Sequence, residues 1–418
     1  MRKIILTVII STFSAFAWAA TAQETLSFYK QELGAFPEGN SREIKLYAAS
    51  LADNLDTWFL QNPVNASASE VMLLQTRLLA RAGKNGEALA MLFRLHYLFP
   101  AADMAQLSPL FNQTQEALDK SVRETASRLF VQASHESTLE KQTAQMLYAF
   151  SKLSGKEFYP AAVQAFERFF VRYPNYEGNN EIELWYGDLH RVNGNYLAAI
   201  LQYKKASALY PNSPYKAASM RLIGDVYADN LKNTAAATEA YTNVLRLYPN
   251  SVETGTVYKH MAILDENNKQ YDSALLNYNK AIELLQDTTS VYEAYRGKAD
   301  VYYKTKQYDL AYDTLQQAAA LSKLSKENAA DSYAQAAKIA HKKLKDETKY
   351  IQSLGKAVLA LPDSAQTAKR MYELATAYEK AGRTAGAQEM YQKLILQFPT
   401  SKYASSAQNR LTRLGNTK

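Results

Sequence analysis

Residues 208–215 read ALYPNSPY, and residues 246–253 read RLYPNSVE. The same Tyr-Pro-Asn-Ser phrase is written twice, with Pro211 and Pro249 38 positions apart. A proline lacks the N–H that a helix ladder needs and clashes with the preceding turn, so it ends a helix. Serine is a favoured N-cap and proline a favoured first helical residue. The phrase therefore predicts a joint: one helix ends at Leu209-Tyr210, and Ser213 caps the next, with Pro214 at its first position.

Prolines at such joints recur at Pro63, Pro100, Pro174, Pro211, Pro249, Pro362 and Pro399, with spacings of 37, 74, 37, 38, 113 and 37. These are whole steps of a ruler of about 37 residues, the mark of a repeat array rather than of independent globular domains. The missing rungs fall near 137, 286 and 324, where the chain reads ASHEST (133–138), QDTTS (286–290) and LSKLSKEN (321–328). Ser67 with Glu70, Ser137 with Glu140 and Ser290 with Glu293 have the Ser-x-x-Glu spacing of a capping box, in which each side chain satisfies an unpaired backbone N–H.

Between joints the apolar spacing is helical and comes in pairs. In the unit closed by Pro211, Gly187 is followed by Ala199, Tyr203 and Ala206. Small residues suit the closest approach of two helices, and an aromatic ring fills the space beside them. Ala262, Ala274, Tyr278 and Ala281 repeat the pattern, as do Ala299, Ala311, Leu315 and Ala318, and Ala375, Ala387 and Tyr391. The unit around Gly224, Tyr227, Ala237 and Tyr241 needs one extra residue between its helices, and the stretch 333–362 fits weakly. Many of the 30 tyrosines fall on inter-helix positions, where the ring fills space and the hydroxyl reaches the edge.

These residues resemble the tetratricopeptide family, and in particular its bacterial periplasmic branch, which writes joints as Tyr-Pro-x-Ser in units longer than usual. Tyr210-Pro211-Asn212-Ser213-Pro214-Tyr215 running into Gly224-Asp225-Val226-Tyr227 is similar to the tetratricopeptide protein of the Tol-Pal system and to the tetratricopeptide lipoprotein of the outer-membrane barrel-assembly machine. The resemblance spans 180–320 and 365–414 best. It implies an all-α solenoid of about nine helix-turn-helix hairpins, wound as a right-handed superhelix, that holds envelope components in a groove. The chain departs from both relatives: it has no lipid-anchoring cysteine and no N-terminal coiled-coil segment.

Composition agrees with a folded chain: 418 residues are 47% hydrophobic and 21% charged, with 15 glycines and 11 prolines. The N-terminus is different in kind. Met1-Arg2-Lys3 precedes an uncharged stretch at 4–22, apolar at 4–16, with small residues at Ala17, Ala19, Ala20 and Ala22. This is the layout of a cleaved export signal, cut after Ala22 or alternatively after Ala19, and shorter than the ~20 apolar residues of a spanning anchor. The organisation expected is a signal peptide at 1–22, degenerate helical repeats at 23–140 and the tetratricopeptide solenoid at 141–418. The mature protein is expected in the periplasm, peripheral to the outer membrane, with no transmembrane segment.

Chemistry is absent from the pattern. With no cysteine there is neither a disulfide framework nor a thiolate site. No phosphate loop, HExxH or GxSxG occurs, and His96, His135, His190, His260 and His341 stand singly. The expectation is a non-enzyme without cofactor or metal. The net charge of +7, or +5 once Arg2 and Lys3 leave with the leader, is too diffuse for nucleic acid. In solenoids partners lie along the inner helices. Counting from the small residues of the first helices places Arg221, Asp225, Lys259, Arg296, Asp300 and Tyr303 in that groove. Such a mixed polar wall suits a protein or peptide partner of the envelope. Clustered exposed tyrosines would instead indicate a carbohydrate-binding component of polysaccharide export or cell-wall metabolism.

Overall fold

The computed structural model describes residues 22–36, 41–61, 68–99, 104–132, 136, 138–210 and 212–415. Residues 1–21 of the expected leader, together with Ser67, Pro63, Pro100, Ser137, His135 and Pro211, lie outside them. Twenty-one α-helices and no strand occur among the described residues. They run α1 (Ala22–Gly34), α2 (Arg42–Gln61), α3 (Ala68–Arg81), α4 (Asn85–Leu98), α5 (Met104–Thr114), α6 (Arg123–Val131), α7 (Leu139–Phe150), α8 (Tyr159–Arg172), α9 (Asn179–Val192), α10 (Tyr196–Leu209), α11 (Lys216–Asp225) and α12 (Thr234–Leu247). The series continues with α13 (Thr254–Asn267), α14 (Tyr271–Leu284), α15 (Thr288–Lys304), α16 (Tyr308–Ala319), α17 (Lys326–Ile339), α18 (Glu347–Ala360), α19 (Ala365–Lys380), α20 (Thr384–Gln397) and α21 (Lys402–Gly415). From α3 to α20 the chain order gives about nine helix pairs, as the ruler of 37 requires.

The chain divides into two compact units, one ending at Val226 and one beginning at Tyr227. The boundary at 140 read from repeat quality concerns likeness between repeats rather than packing. In the first unit one core runs from Tyr29 to Leu189. Its centre is aromatic: Phe93 meets Phe130 at 5.2 Å and Phe150 at 5.7 Å between ring centroids. In the second unit the core is broken into local clusters, Ala262 to Val301, Ala299 to Ala340 and Ala337 to Ala407. That is the packing of a solenoid, in which each repeat touches only its neighbours.

The inter-helix tyrosines behave as their spacing predicts. Tyr203, Tyr241, Tyr278 and Tyr391 are among the largest fully buried side chains. Tyr203 donates to Asp188 at 2.7 Å, Tyr278 to Glu266 at 2.9 Å and Tyr391 to Glu379 at 2.9 Å. Tyr241 lies 3.4 Å from His260 Nδ1. Burial and the carboxylate beside them push the hydroxyls of Tyr203 and Tyr278 far up. Both stay neutral donors at physiological pH.

The joints differ in detail from the sequence expectation. Ser213 does not cap a helix. Tyr215 precedes α11, and the Ser213 hydroxyl accepts the Tyr215 N–H at 3.0 Å, forming a turn ahead of the helix. Ser251 accepts the N–H two residues on in the same way, whereas Ser364 is the N-cap of α19 and accepts from Gln366, and Ser401, directly before α21, accepts from Tyr403. The residue three after the serine position reaches back: Thr254 donates to the carbonyls of Tyr248 and Pro249, both at 3.2 Å. Asn179 does the same to Tyr173 and Pro174. At α15 the cap is Asp287, whose carboxylate accepts the Ser290 N–H at 2.7 Å, so Ser290 sits inside the first turn. At α7 the cap is Thr138 rather than the outlying Ser137. In both cases the oxygen lies three residues before the N–H that it accepts, the reach of an N-cap side chain.

A second ladder lies in the turns inside the hairpins. Gly83, Gly194, Lys232, Lys269, Lys306, Lys345 and Gly382 all have positive φ. In the Schellman pattern at Lys306, Lys306 N–H bonds Tyr303 carbonyl at 3.1 Å and Gln307 N–H bonds Tyr302 carbonyl at 2.8 Å. Where the unit needs an extra residue, the helix widens into a π turn, at Val226–Asn230 before Lys232 and at Ala340–Leu344 before Lys345. That insertion explains both the longer unit around Gly224 and the weak fit of 333–362. A left-handed lysine is strained by roughly 1–2 kcal/mol, and glycine loosens the unfolded chain by about 0.5–1 kcal/mol. Lys306→Gly is therefore expected to raise stability by up to about 1 kcal/mol in denaturant melts. A lowered midpoint would show that the ammonium's attraction to the helix end outweighs the strain.

Candidate functional site

The residues expected in a groove do not stand free. Arg221 and Asp225, one turn apart on α11, are ion-paired to each other, and Asp225 is buried. Lys259 on α13 is also buried and holds Glu293 of the next first helix, α15, at 2.7 Å. Arg296 donates to the Tyr292 hydroxyl at 3.0 Å, and Ser332 of α17 donates to the same oxygen at 3.3 Å. Asp300 and Tyr303 are the exposed members of the set. Tyr303 packs edge-on to Tyr308 at 5.4 Å, with Lys343 Nζ over both rings at 5.5 and 5.2 Å.

Within the second unit these contacts continue from repeat to repeat. Lys304 bonds Glu266 at 2.7 Å, Arg370 bonds Asp331 at 2.5 Å and Arg410 bonds Glu379 at 2.8 Å. Each pair joins one first helix to the next, or α21 to α19. The face is thus an alternation of cations and anions, held in place before any partner arrives. Glu293, Asp300 and Asp331 offer their exposed parts to solvent. Reversing Lys259 would set a carboxylate against Glu293, so a charge reversal there disturbs the fold as well as the surface.

In the first unit a cleft of about 840 Å³ opens between α2, α3, α4, α7 and α8. Leu79, Met91, Phe99, Met146 and Phe169 line its apolar wall, and Arg94, Arg168 and Asp56 its polar side. Arg168 grips Asp56 with two hydrogen bonds, 2.8 and 3.3 Å. Burial, with Arg168 and Arg172 nearby, lowers Arg94 to about 10 against the pull of Asp56. It remains a cation at neutral pH. These side chains come from helices up to 112 residues apart, so no sequence spacing announced them.

Among the described residues no three acidic, histidine or cysteine side chains form a metal-binding group. His190 packs on Tyr186 and bonds the Tyr159 hydroxyl at 2.7 Å, and burial lowers its pKa. No described helix is long and apolar enough to cross a membrane.

Stacked helical hairpins whose first helices carry a line of fixed polar contacts define the class: a repeat scaffold of the kind that binds protein or peptide partners, a fold generally without catalysis. Tetratricopeptide repeat family models match residues 153–214, 218–251 and 371–401, and these segments are tetratricopeptide repeats. No curated protein matches the chain. Among solved structures it is similar to the C-terminal part of a TPR repeat-containing protein from Cytophaga hutchinsonii, at 14% identity over 63% of this chain and 97% of that one, with a TM-score of 0.44. A tetratricopeptide repeat protein from Parabacteroides merdae is similar at 15% identity, covering 66% and 99%, with a TM-score of 0.37. PilW, a type IV pilus biogenesis factor, is similar at 16% identity, covering 55% and 98%, with a TM-score of 0.33.

Proposed function

We propose that this protein is an exported, periplasmic interaction scaffold that serves assembly or maintenance of the cell envelope, in the manner of the periplasmic tetratricopeptide branch, and that the first helices of its second unit receive a protein segment. The carrying observation is the alternation of charge along that face, through Lys259, Glu293, Arg296, Asp300, Lys304, Asp331 and Arg370 in turn. Preset alternating charge matches a polypeptide of opposite pattern and repels a wrong one, which gives specificity. A sugar surface would present clustered open rings, whereas Tyr203, Tyr241, Tyr278 and Tyr391 are taken up by packing. The compartment rests on the basic and apolar leader at 1–22.

The test keeps to exposed positions. Asp300→Lys with Tyr303→Ser is expected to lower recovery of the cross-linked partner at least about tenfold, roughly 1.4 kcal/mol, with the melting curve unchanged. Lys204→Glu with Lys393→Glu, on second helices, serves as the control. Equal recovery from both variants would exclude this face. N-terminal sequencing of the protein from fractionated cells checks the compartment, and an intact Met1 in the cytosol would overturn it.

A further inference from the structure

We infer that the turn edge of the second unit docks on an anionic lipid surface through Lys232, Lys269, Lys306 and Lys345. All five non-glycine residues with positive φ among the described residues are lysines. Four of them occupy successive turns inside hairpins, where the corresponding residues of other repeats are Gly83, Gly194 and Gly382. Glycine, asparagine or aspartate enters this conformation at least cost, and lysine has no such advantage. The four are exposed, and no ion pair holds any of them among the described residues. Their common property is a charge delivered to one edge at each repeat.

Several acids of that edge are engaged elsewhere, while Asp229 and Asp272 stay exposed beside Lys232 and Lys269. Asp265 accepts from Ser273 and Asn277, and Glu266 from Lys304 and Tyr278. Asp309 holds Lys349, and Asp346 caps α18. Lys342 and Lys343 add exposed charge beside Lys345. The result is a row of ammonium groups spaced on the order of 10 Å, the width of a packed helix.

The form of the row selects the partner. Each lysine acts singly, as a compact point charge on a flexible stem, with no surrounding pocket or forked donor to read a peptide side chain. A plane of mobile anionic headgroups adjusts to such a row, and each lysine at the surface raises partition about fivefold. Binding of this kind is screened by salt, with a Debye length of about 8 Å at physiological strength.

The full chain is tested by sedimentation with vesicles of equal parts phosphatidylglycerol and phosphatidylcholine, against vesicles of phosphatidylcholine alone. The anionic-over-neutral ratio is the reading, so that apolar attraction common to both vesicles cancels. Replacing the four lysines by glycine together is expected to lower that ratio on the order of 10²-fold, with melting unchanged or raised. Changing Lys280, Lys326, Lys393 and Lys402 to Gln removes the same charge elsewhere and is expected to lower it less than about fivefold. A lowered melting point in the glycine variant would mean that the lysines serve the helix ends, and the ratio is then read from the four Lys→Asn changes, since asparagine also adopts this conformation. Equal loss in the control, no loss in either, or capture by a soluble acidic polysaccharide in place of vesicles would each overturn the inference.

Discussion

Ala206→Glu is expected to melt the repeat formed by α9 and α10 and to lower the stability of the first unit by several kcal/mol. Ala206 is 3% exposed on α10, one turn beyond the fully buried Tyr203. No room exists for a carboxylate, and its charge would be taken out of water. The neighbourhood already carries one such group: burial pushes the Glu183 carboxyl up, against the pull of Lys205 at 3.0 Å, and Gln202 bonds it. Because stability in an array is a sum over nearest neighbours, amide protection should fall first in 179–209 and then in the adjoining helices. Hydrogen exchange and a circular-dichroism melt read both effects. An unchanged midpoint would mean that α10 turns residue 206 to solvent.

The second large effect is Gly187→Ala. On helix propensity alone this change should stabilise α9 by about 1 kcal/mol. Sterics decide otherwise, because the new Cβ would lie 2.3 Å from Tyr203 Cε1 and 2.6 Å from Cδ1. The ring cannot step aside: it is fully buried, and its hydroxyl is fixed on Asp188. Overpacking of this kind costs about 1–3 kcal/mol, so a net loss of stability is expected. In a double-mutant cycle, Tyr203→Leu should do less damage in the Gly187→Ala background than in the parent chain. Additivity of the two changes would show that ring and glycine are not in contact. Gly297→Ala meets the same obstacle at Tyr278, again at 2.3 Å, and should behave alike.

That Gly187 was legible as a contact point, while Ser213 was misread as a cap, shows what kind of information each residue carries. Gly187, Ala199, Tyr203 and Ala206 recur at a spacing set by the geometry of two touching helices, and spacing is written in the chain. The choice between Ser290 and Asp287 as cap turns on which side chain reaches the open N–H groups, a matter of fractions of an ångström. Likewise Lys259 read as an open groove residue, because nothing near it in sequence revealed that Glu293, on the next first helix, would take its charge, whereas Arg221 and Asp225 stood at a pairing spacing that the chain did show. The lysines of the hairpin turns did carry a signal, a recurrence near every 37 residues with Asn or Gln often following, as at Lys269-Gln270 and Lys306-Gln307.

Sequence by itself determined the helical class, the period of about 37 and the inter-helix tyrosines, because each depends on rules local to one helix or one joint. Tertiary structure alone decided the π turns that absorb an extra residue, the engagement of Lys259 by Glu293 of the next first helix, and the cleft where Arg168 of α8 meets Asp56 of α2. Those outcomes depend on which side chains from distant segments come within about 3 Å, and a hydrogen bond weakens so steeply with distance and angle that no periodicity in the chain specifies it.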